Sequence, residues 1–351
     1  MTRVVQWATG NIGARALRGV IEHPELELAG VYVTSPAKTG KDAGDLCGTA
    51  ATGVLATDHI DEILALGADC VLYMPAACNL DEVSALLASG ANVVTTRGEF
   101  HHPGSMDPAD RARVEAACAA GGTSIHSTGS SPGFISEALP LALTSIQRRL
   151  DSLTISEFAD LSKRDSPDLL FNLMGFGKPA EEFDRRRFGY GAISFGPSLR
   201  LLAEALGTPL DAVESTGEVA VARETISIAA GPLAAGTVAA QKMIVSGLRN
   251  GRPLLTFAAT WYCTADLDPA WDVRATGWHV VVDGDAPLDI DIRFAVPIER
   301  MGDASPGYTA NRAVNAIPFV CAAAPGIRTT ADLPQIIANL SHPGQSPRAS
   351  S

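Results

Sequence analysis

The sequence has few groups that bind metals or nucleic acids. Its six cysteines are scattered without a CxxC pair, and its seven histidines show no HExxH spacing, so we expect no metal site. Lys and Arg number 27 against 39 acidic residues, a net charge of −12, which argues against a nucleic-acid or anionic-membrane surface. No apolar run reaches the ~20 residues that a membrane-spanning helix needs. The chain enters its first predicted strand at Arg3 without a leading apolar segment, so we expect a cytoplasmic location.

The first 150 residues alternate strand-like and helix-like segments, which is typical of a parallel sheet with helices on its faces. The predicted strands are Val4–Ala8, Leu28–Val33, Cys70–Met74, Asn92–Thr96 and Thr123–His126. The predicted helices are Ile12–Ile21, Asp58–Leu66 capped by Asp58, Leu80–Ala88, and Pro108–Ala120 capped by Asp107. This order predicts an α/β fold with a Rossmann-type, doubly wound parallel sheet.

A different pattern follows residue 150. Segments with alternating polarity predict half-buried strands, and two Asx-Gly turns predict antiparallel hairpins. The predicted strands are Leu153–Leu161, Val219–Ile228 and Ile290–Val296; the turns are Asn250-Gly251 and Asp283-Gly284; the helices are Pro197–Leu206 and Thr309–Ala316. We therefore predict a dinucleotide-binding domain over 1–150 and an α+β domain on an open antiparallel sheet over 151–308. Residues 309–340 are predicted to return to the first domain, and 341–351 form a flexible tail.

The residues from Val4 to Gly19, VVQWATGNIGARALRG, combine an apolar run, a glycine turn and an amphipathic helix. This order is typical of the phosphate-binding start of a dinucleotide domain, although Ala8 replaces the usual first glycine. One glycine allows close approach of the pyrophosphate to the helix N-terminus, and the other allows close helix–strand packing. The residues predicted to bind here are Thr9, Gly10, Asn11, Ile12 and Gly13. The alternative is an ordinary βα turn.

The second predicted strand ends without the carboxylate that binds the ribose 2′-hydroxyl of NAD. Thr34, Ser35, Lys38 and Lys41 follow it, and the first acid is Asp42. Hydroxyls and cations suit a negatively charged 2′-phosphate, so we predict NADP as the cofactor, with NAD as a second candidate. The alternative is that both lysines are ordinary loop residues and that the site accepts either cofactor.

Two further loops follow buried strands, at the edge where ligands bind in such sheets. The apolar loop Met74, Pro75 and Ala76 suits packing over adenine or ribose. The loop with Thr96 and Arg97 is predicted to contact the cofactor.

Glu99 is the candidate catalytic acid. It follows a buried strand, and we expect it to reach a cleft and to be partly desolvated by Phe100, where it can act as an acid and base beside a nicotinamide. The alternative is a loop carboxylate paired with Arg97. His101 and His102 compete for the proton-transfer role; because adjacent residues in extended backbone point to opposite sides, we expect at most one inside and favour a surface position for both.

Two more sets complete the predicted site. Ser131 and Pro132, in the loop Gly129–Gly133, are predicted to lie near the nicotinamide, the alternative being a plain strand–helix connection. An apolar substrate pocket is predicted from large side chains of the second domain, although such residues are commonly core. The pocket residues are Phe134, Phe158, Leu161, Phe171, Met174 and Phe176, with Trp261 as a further candidate.

Several motifs occur in a characteristic order. They are WATGNIG, GKDAGDLCG at Gly40–Gly48, the Glu99 loop, TGSSPGF at Thr128–Phe134 and ANRAVNAIPFVCAAAPGI at Ala310–Ile327. Together they resemble the 2,4-diaminopentanoate dehydrogenase-like group, which includes the native amine dehydrogenases. The first domain of that group is similar to the N-terminal domain of dihydrodipicolinate reductase. The resemblance spans residues 1 to about 330.

The resemblance implies a homodimer whose second-domain sheet forms the dimer contact. It implies a reversible reaction in which an amine, water and NAD(P)⁺ give a ketone or aldehyde, ammonia and NAD(P)H. The group's active-site glutamate corresponds to Glu99, and Asn311 or Asn315 is implied to hold the carboxamide of the cofactor. Gly98 and Phe100 stand where the group often has a second acid, which favours a small carbonyl or alkyl amine over a charged diamino acid.

The sequence therefore predicts reductive amination of a small ketone or aldehyde by hydride transfer to an iminium. Two alternatives stay open at this point. One is an NADP-dependent dehydrogenase of a hydroxy or aldehyde substrate, in which Glu99 is structural. The other is a non-catalytic protein that senses NADP.

Overall fold

The structure is a computed structural model that describes residues 1–340. The contacts divide the chain into two units. Unit 1 contains Met1–Phe134 together with the described residues from Ser305 onward, and unit 2 is Ile135–Ala304. The predicted boundary at residue 150 therefore lies inside unit 2. The predicted tail, 341–351, lies outside the described residues.

The strands and helices are numbered in chain order. The strands are β1 (Thr2–Trp7), β2 (Leu26–Tyr32), β3 (Ala56–Thr57), β4 (Cys70–Tyr73), β5 (Asn92–Thr95), β6 (Ser124–Ser127), β7 (Leu150–Asp160), β8 (Ala212–Ala222), β9 (Ile226–Ile228), β10 (Gly231–Leu233), β11 (Val238–Arg249), β12 (Arg252–Tyr262), β13 (Leu267–Asp268), β14 (Gly277–Gly284), β15 (Leu288–Arg293) and β16 (Gly326–Arg328). The α-helices are α1 (Asn11–Glu22), α2 (Ala43–Cys47), α3 (Ile60–Ala65), α4 (Leu80–Ala88), α5 (Pro108–Gly121), α6 (Leu139–Thr144), α7 (Tyr190–Ala205) and α8 (Ile298–Cys321).

Unit 1 contains the predicted doubly wound sheet. Its strand order is β16-β6-β5-β4-β1-β2-β3, and every pair is parallel. The order reverses between β1 and β4, which is the point where ligands bind in such sheets. The central strands are fully buried between two apolar clusters, one of which includes side chains of α1 and α8. The last strand, β16, was not predicted; it extends the sheet beyond β6.

Unit 2 is built on a seven-stranded sheet with the order β13-β8-β11-β12-β7-β14-β15. The sheet is antiparallel except for the central pair of β7 and β12, which is parallel. Helix α7 packs on one face, where Phe195 stacks on Phe257 at 3.9 Å between ring centroids. The turn Asn250-Gly251 joins β11 to β12 as predicted, with both residues at positive φ.

Some predicted boundaries were wrong. The sequence predicts helix starts at Pro197 and Thr309, but α7 and α8 begin earlier and contain prolines in their interiors. Packing of the preceding turn therefore outweighs the local signal of a proline at a helix start. The predicted strand Val219–Ile228 is two strands, β8 and β9. Asp283 and Gly284 still pair with β7, but they already belong to the connection between β14 and β15, because the last pair of that antiparallel hairpin is Val282 with Leu288.

The two predicted helix caps have different outcomes. Asp107 accepts hydrogen bonds from the backbone N–H groups of Ala109 and Asp110, at 2.9 and 3.3 Å, so this cap is confirmed. Helix α3 instead begins after His59, whose backbone N–H is bonded to the hydroxyl of Thr57 at 3.1 Å. Among residues 1–340, no side chain caps the first turn of α3, so the predicted cap by Asp58 is wrong.

The motif GKDAGDLCG forms a compact structural element. Asp42 caps α2 and accepts hydrogen bonds from the backbone of Thr52 and Gly44, and also of Gly53, which lowers the pKa of its carboxyl. A side chain at Gly44 would stand 2.2 Å from the carbonyl oxygen of Ala50, so only glycine fits. The motif therefore secures the segment between β2 and β3.

No helix among residues 1–340 is long and apolar enough to cross a membrane.

Candidate functional site

The turn after β1 has the close helix packing predicted from its glycines. A Cβ atom at Gly13 would stand 2.1 Å from the carbonyl oxygen of Ala8, so α1 can approach β1 only with glycine there. Gly10 is the N-cap residue of α1, and no side chain of the described residues caps the first turn of this helix. A Cβ atom at Gly10 would have no atom of residues 1–340 within 4 Å. Ala8 has a φ of 69°, a left-handed conformation that costs a non-glycine residue about 1 kcal/mol. The first turn of α1 therefore presents its N–H groups over open space.

A cleft of about 410 Å³ lies over this turn, at the carboxyl ends of β1, β2 and β4. Eight predicted residues line it: Thr9, Gly10, Thr34, Ser35, Lys38, Met74, Pro75 and Ala76. Ala8 of the glycine turn and Ala77, the next residue of the predicted apolar loop, also line it. The sequence prediction missed Val33, Asn79 and Glu82. Asn79 is the N-cap of α4 and Glu82 lies in its first turn, so the start of the helix that follows a buried strand was the available signal.

Lys38 connects the end of β2 to the glycine turn. Its ammonium donates to the carbonyl oxygen of Thr9 at 2.7 Å and to the Thr9 hydroxyl at 3.1 Å. Thr34 and Ser35 line the same side of the cleft, while Lys41 is exposed and does not line it. Because the oxygens of Asp42 are bonded within its own loop, the first acid after β2 is engaged away from the cleft.

Glu82 brings one carboxylate to the cleft. The Tyr73 hydroxyl donates to Glu82 Oε2 at 2.8 Å and accepts from the backbone N–H of Asn79 at 3.0 Å. Burial raises the pKa of the Tyr73 hydroxyl well above its usual value, so Tyr73 stays protonated as the donor. The fixed carboxylate lies on the β4 side of the cleft and is anchored by the core tyrosine.

Glu99 lies in a single helical turn, Gly98–Phe100, four residues after β5 ends. Its carboxylate accepts from the Arg97 guanidinium at 2.8 Å, and the side chains of Arg97 and Glu99 are 29% and 39% exposed. The predicted pairing with Arg97 is therefore present. Phe100 is fully buried in the core of unit 1, so the expected partial desolvation of Glu99 by this ring stays a prediction.

The surroundings of Glu99 include one half-buried thiol, that of Cys78. Burial, with the nearby charge of Glu99 as the second cause, raises the pKa of Cys78 to about 11. The Cys78 thiol is therefore protonated at neutral pH and is not a nucleophile.

The two histidines after Glu99 differ from expectation. His101 and His102 are 2% and 4% exposed, so both are buried rather than on the surface. The argument from extended backbone fails because the two histidines lie between two short helical turns, Gly98–Phe100 and Pro103–Ser105, and only His102 has an extended backbone. His102 Nδ1 is bonded to the Ser105 hydroxyl at 2.7 Å, which gives this ring a structural role.

The loop with Ser131 and Pro132 is attached to helix α8. The Ser130 hydroxyl lies 2.7 Å from that of Thr309, and the Phe134 N–H donates to Gly129 at 2.8 Å. The hydroxyl oxygen of Ser131 is buried without a hydrogen-bond partner in the described part of the chain. The Ser131 hydroxyl is therefore available to donate a hydrogen bond to a ligand group at this loop.

The two asparagines predicted to contact the cofactor lie in α8. Asn311 is exposed and Asn315 half-buried, and neither lines the cleft described above. Their predicted contact with the cofactor stays a prediction, as do those of Thr96 and Arg97.

The predicted pocket residues belong to both units, with Phe134 in unit 1 and the others in unit 2. Phe176 is 1% exposed and is a core residue of unit 2 rather than an open wall. The others, Phe158, Leu161, Phe171 and Met174, are half-buried. Glu137 of unit 2, which was not among the predicted site residues, is fully buried and accepts a hydrogen bond from the Ser198 hydroxyl.

Within residues 1–340, no group of three or more His, Cys, Asp or Glu side chains is arranged to hold a metal ion.

Sequence comparison places these features among known enzymes. The family model described as 2,4-diaminopentanoate dehydrogenase C-terminal domain matches residues 134–346. The chain is 30% identical to an amine dehydrogenase of Streptomyces virginiae over 347 residues, covering 95% of this chain and 96% of that protein. It is 24% identical to 2,4-diaminopentanoate dehydrogenase of Acetoanaerobium sticklandii over 258 residues, covering 72% and 69% of the two chains.

Structure comparison supports the same fold. The solved structure of an amine dehydrogenase from Mycobacterium smegmatis superposes with a TM-score of 0.76 at 21% identity, covering 96% of this chain and 97% of that one. At this identity, the likeness establishes the shared architecture.

The two glycines of the first turn give a matched pair of variants. Gly13→Ala forces a Cβ against the Ala8 carbonyl, so we expect a loss of about 3 kcal/mol in the free energy of unfolding. Gly10→Ala has room in the protein and should lose no more than about 1 kcal/mol, the cost of alanine at an N-cap. Its methyl group would stand where the pyrophosphate is predicted to approach, so NADPH affinity should fall at least ~10-fold. Thermal unfolding and NADPH fluorescence titration measure both effects; unchanged affinity in Gly10→Ala would remove the pyrophosphate from this turn.

Proposed function

Because this chain belongs to the family of 2,4-diaminopentanoate dehydrogenases and amine dehydrogenases, we propose that it catalyses the reversible, NAD(P)H-dependent reductive amination of a small ketone or aldehyde. One observation carries the proposal. A carboxylate, that of Glu99, follows β5 at the same sheet edge as the glycine-turn cleft, and an arginine holds it as a charged pair. A fixed anion at that edge suits chemistry in which ammonium and an iminium cation must be stabilised.

The cleft supports a dinucleotide. The N–H groups at the start of α1 suit the pyrophosphate, and the open space over Gly10 gives it room. Thr34, Ser35 and Lys38 provide hydroxyls and one cation beside the end of β2, and the nearest acid in sequence, Asp42, is bonded elsewhere. This set favours a 2′-phosphate, so we propose NADP as the preferred cofactor and NAD as the weaker alternative.

The proposed mechanism assigns the proton transfers to Glu99. Its carboxylate binds ammonium and removes one proton, so that neutral ammonia can attack the carbonyl carbon. The same group then returns the proton to the hydroxyl of the carbinolamine, which leaves as water and yields an iminium. The nicotinamide cofactor supplies the hydride that reduces this carbon. In total, carbonyl compound, ammonia, NAD(P)H and one proton give amine, water and NAD(P)⁺.

The substrate and assembly belong to the same proposal. Gly98 and Phe100 flank Glu99 without adding charge, and Phe100 is buried, which favours a small carbonyl compound without a cationic side chain. Within unit 2, the half-buried side chains of Phe158, Leu161, Phe171 and Met174 are proposed as an apolar wall. Helix α7 covers one face of the sheet of unit 2. We propose that the opposite face of this sheet forms the contact of a homodimer.

Removal of the carboxylate is the direct test of the mechanism. Glu99→Gln keeps the size of the side chain but can neither take a proton nor oppose a cation, so ammonia-dependent NADPH oxidation should fall at least ~10²-fold. The affinity for NADPH should change by less than ~3-fold. Glu115→Gln is the control, since Glu115 is an exposed partner of Arg111 on α5. Full ammonia-dependent activity in Glu99→Gln would refute the proposed role.

The choice of cofactor is tested at Lys38. Lys38→Met removes the cation beside Ser35, so kcat/KM for NADPH should fall ~10-fold or more while that for NADH changes little. Lys41→Met, an exposed lysine outside the cleft, is the matched control. Because Lys38 also holds the Thr9 carbonyl, thermal unfolding is measured in parallel. Equal losses with both cofactors, or equal efficiency in the unmodified protein, would contradict a 2′-phosphate site.

A further inference from the structure

Arg97 joins two loops of unit 1 through one planar group. One terminal nitrogen donates to the carbonyl oxygen of Ala76 at 2.7 Å, and the other donates to Glu99 Oε1 at 2.8 Å. Ala76 belongs to the lining of the nucleotide cleft, after β4, and Glu99 follows the neighbouring strand β5. The guanidinium therefore connects the wall of the cleft directly to the carboxylate.

The backbone of Arg97 is itself held from both sides. Its N–H donates to the Thr95 hydroxyl at 3.1 Å, and its carbonyl accepts from the Ser127 hydroxyl at 2.7 Å. Thr95 and Ser127 are buried at the ends of β5 and β6, and the Thr95 hydroxyl donates onward to the Tyr73 carbonyl at 2.6 Å. Three adjacent strands thus fix where the arginine side chain starts.

The pair does little for the fold. Both side chains are about one-third exposed, and pairs of this exposure contribute about 1 kcal/mol or less to stability. Its geometry is more specific than its energy. A lysine has no planar fork and cannot reproduce both hydrogen bonds in one plane.

We propose that Arg97 is a positioning residue, which sets the distance between the Glu99 carboxylate and the cofactor cleft by bridging Glu99 to Ala76. This inference rests on the proposed role of Glu99. It assigns Arg97 a different task from the cofactor contact predicted from the sequence: Arg97 acts on the reaction through Glu99, and the nucleotide is held by the other residues of the cleft. Displacing a reacting group by about 1 Å can cost ~10²-fold in rate.

The test uses three variants of the full chain: Arg97→Ala, Arg97→Lys and Arg113→Ala. Arg113→Ala removes a surface ion pair with Asp81 and is the control. We expect kcat of reductive amination to fall ~10²-fold in Arg97→Ala, with NADPH affinity within ~3-fold of the parent protein. Guanidinium ion added below denaturing concentrations should restore part of kcat in Arg97→Ala and none in Arg113→Ala. Arg97→Lys, which keeps the charge, should fold normally and still lose at least ~10-fold in kcat.

The outcomes separate this inference from the proposed function. In the double variant Arg97→Ala/Glu99→Gln, activity should equal that of Glu99→Gln alone, because Arg97 acts only through that carboxylate. Parent-like activity in Arg97→Lys, or a fall in NADPH affinity equal to the fall in kcat, overturns the positioning role and leaves the role of Glu99 intact. If guanidinium does not restore kcat in Arg97→Ala, the positioning role is overturned as well. Full ammonia-dependent activity in Glu99→Gln instead overturns the role of Glu99, and a parent protein without ammonia-dependent NADPH oxidation overturns the proposed function itself.

Discussion

The parallel pairing of β1 with β4 and of β4 with β5 is the constraint on which the candidate site depends. Parallel strands end at one edge, so the glycine turn, the Ala76 loop and the Glu99 loop must emerge side by side. The close contact between Gly13 and the Ala8 carbonyl then determines how α1 packs at that edge, because a single methyl group would collide with this carbonyl. Without this contact, the N–H groups of the first turn would not face the cleft.

The charges at this edge have separate tasks. Lys38 is bonded to the turn on the β2 side, Glu82 is bonded to Tyr73 on the β4 side, and Glu99 is paired with Arg97 beyond it. Two cations and two carboxylates therefore lie at this edge. This arrangement allows a nucleotide phosphate and a reacting cation to be handled by different groups within one unit.

Local sequence signals were sufficient for most of the first unit and for its turn. The strand–glycine–helix order predicted the cleft, and Asp107 before a proline predicted the cap of α5. Features that depend on distant contacts were missed. Strand β16 forms only because β6 offers its free edge, and α7 passes through Pro197 because its earlier turns pack on the sheet of unit 2.

The site shows the same division between local and distant information. The Glu99 loop was found from its place after a buried strand, but the single helical turns that bury His101 and His102 have no clear local signal. Glu82 was overlooked because an acid in the first turn of a helix is ordinary, and only its neighbour Tyr73 makes it part of the cleft. The parts of the site that depend on such contacts between side chains therefore could not be predicted from the sequence.

In the proposed reaction, hydride goes to a carbon that has just exchanged oxygen for nitrogen. NADPH deuterated at nicotinamide C4, in each diastereomer, tests this step when the protein is supplied with small ketones and aldehydes, with and without ammonium. We expect deuterium on the carbon of a new amine, from one diastereomer, and no product without ammonium. Deuterium on the carbinol carbon of an alcohol, formed equally without ammonium, would contradict it. Tight NADPH binding without any transfer would contradict it as well.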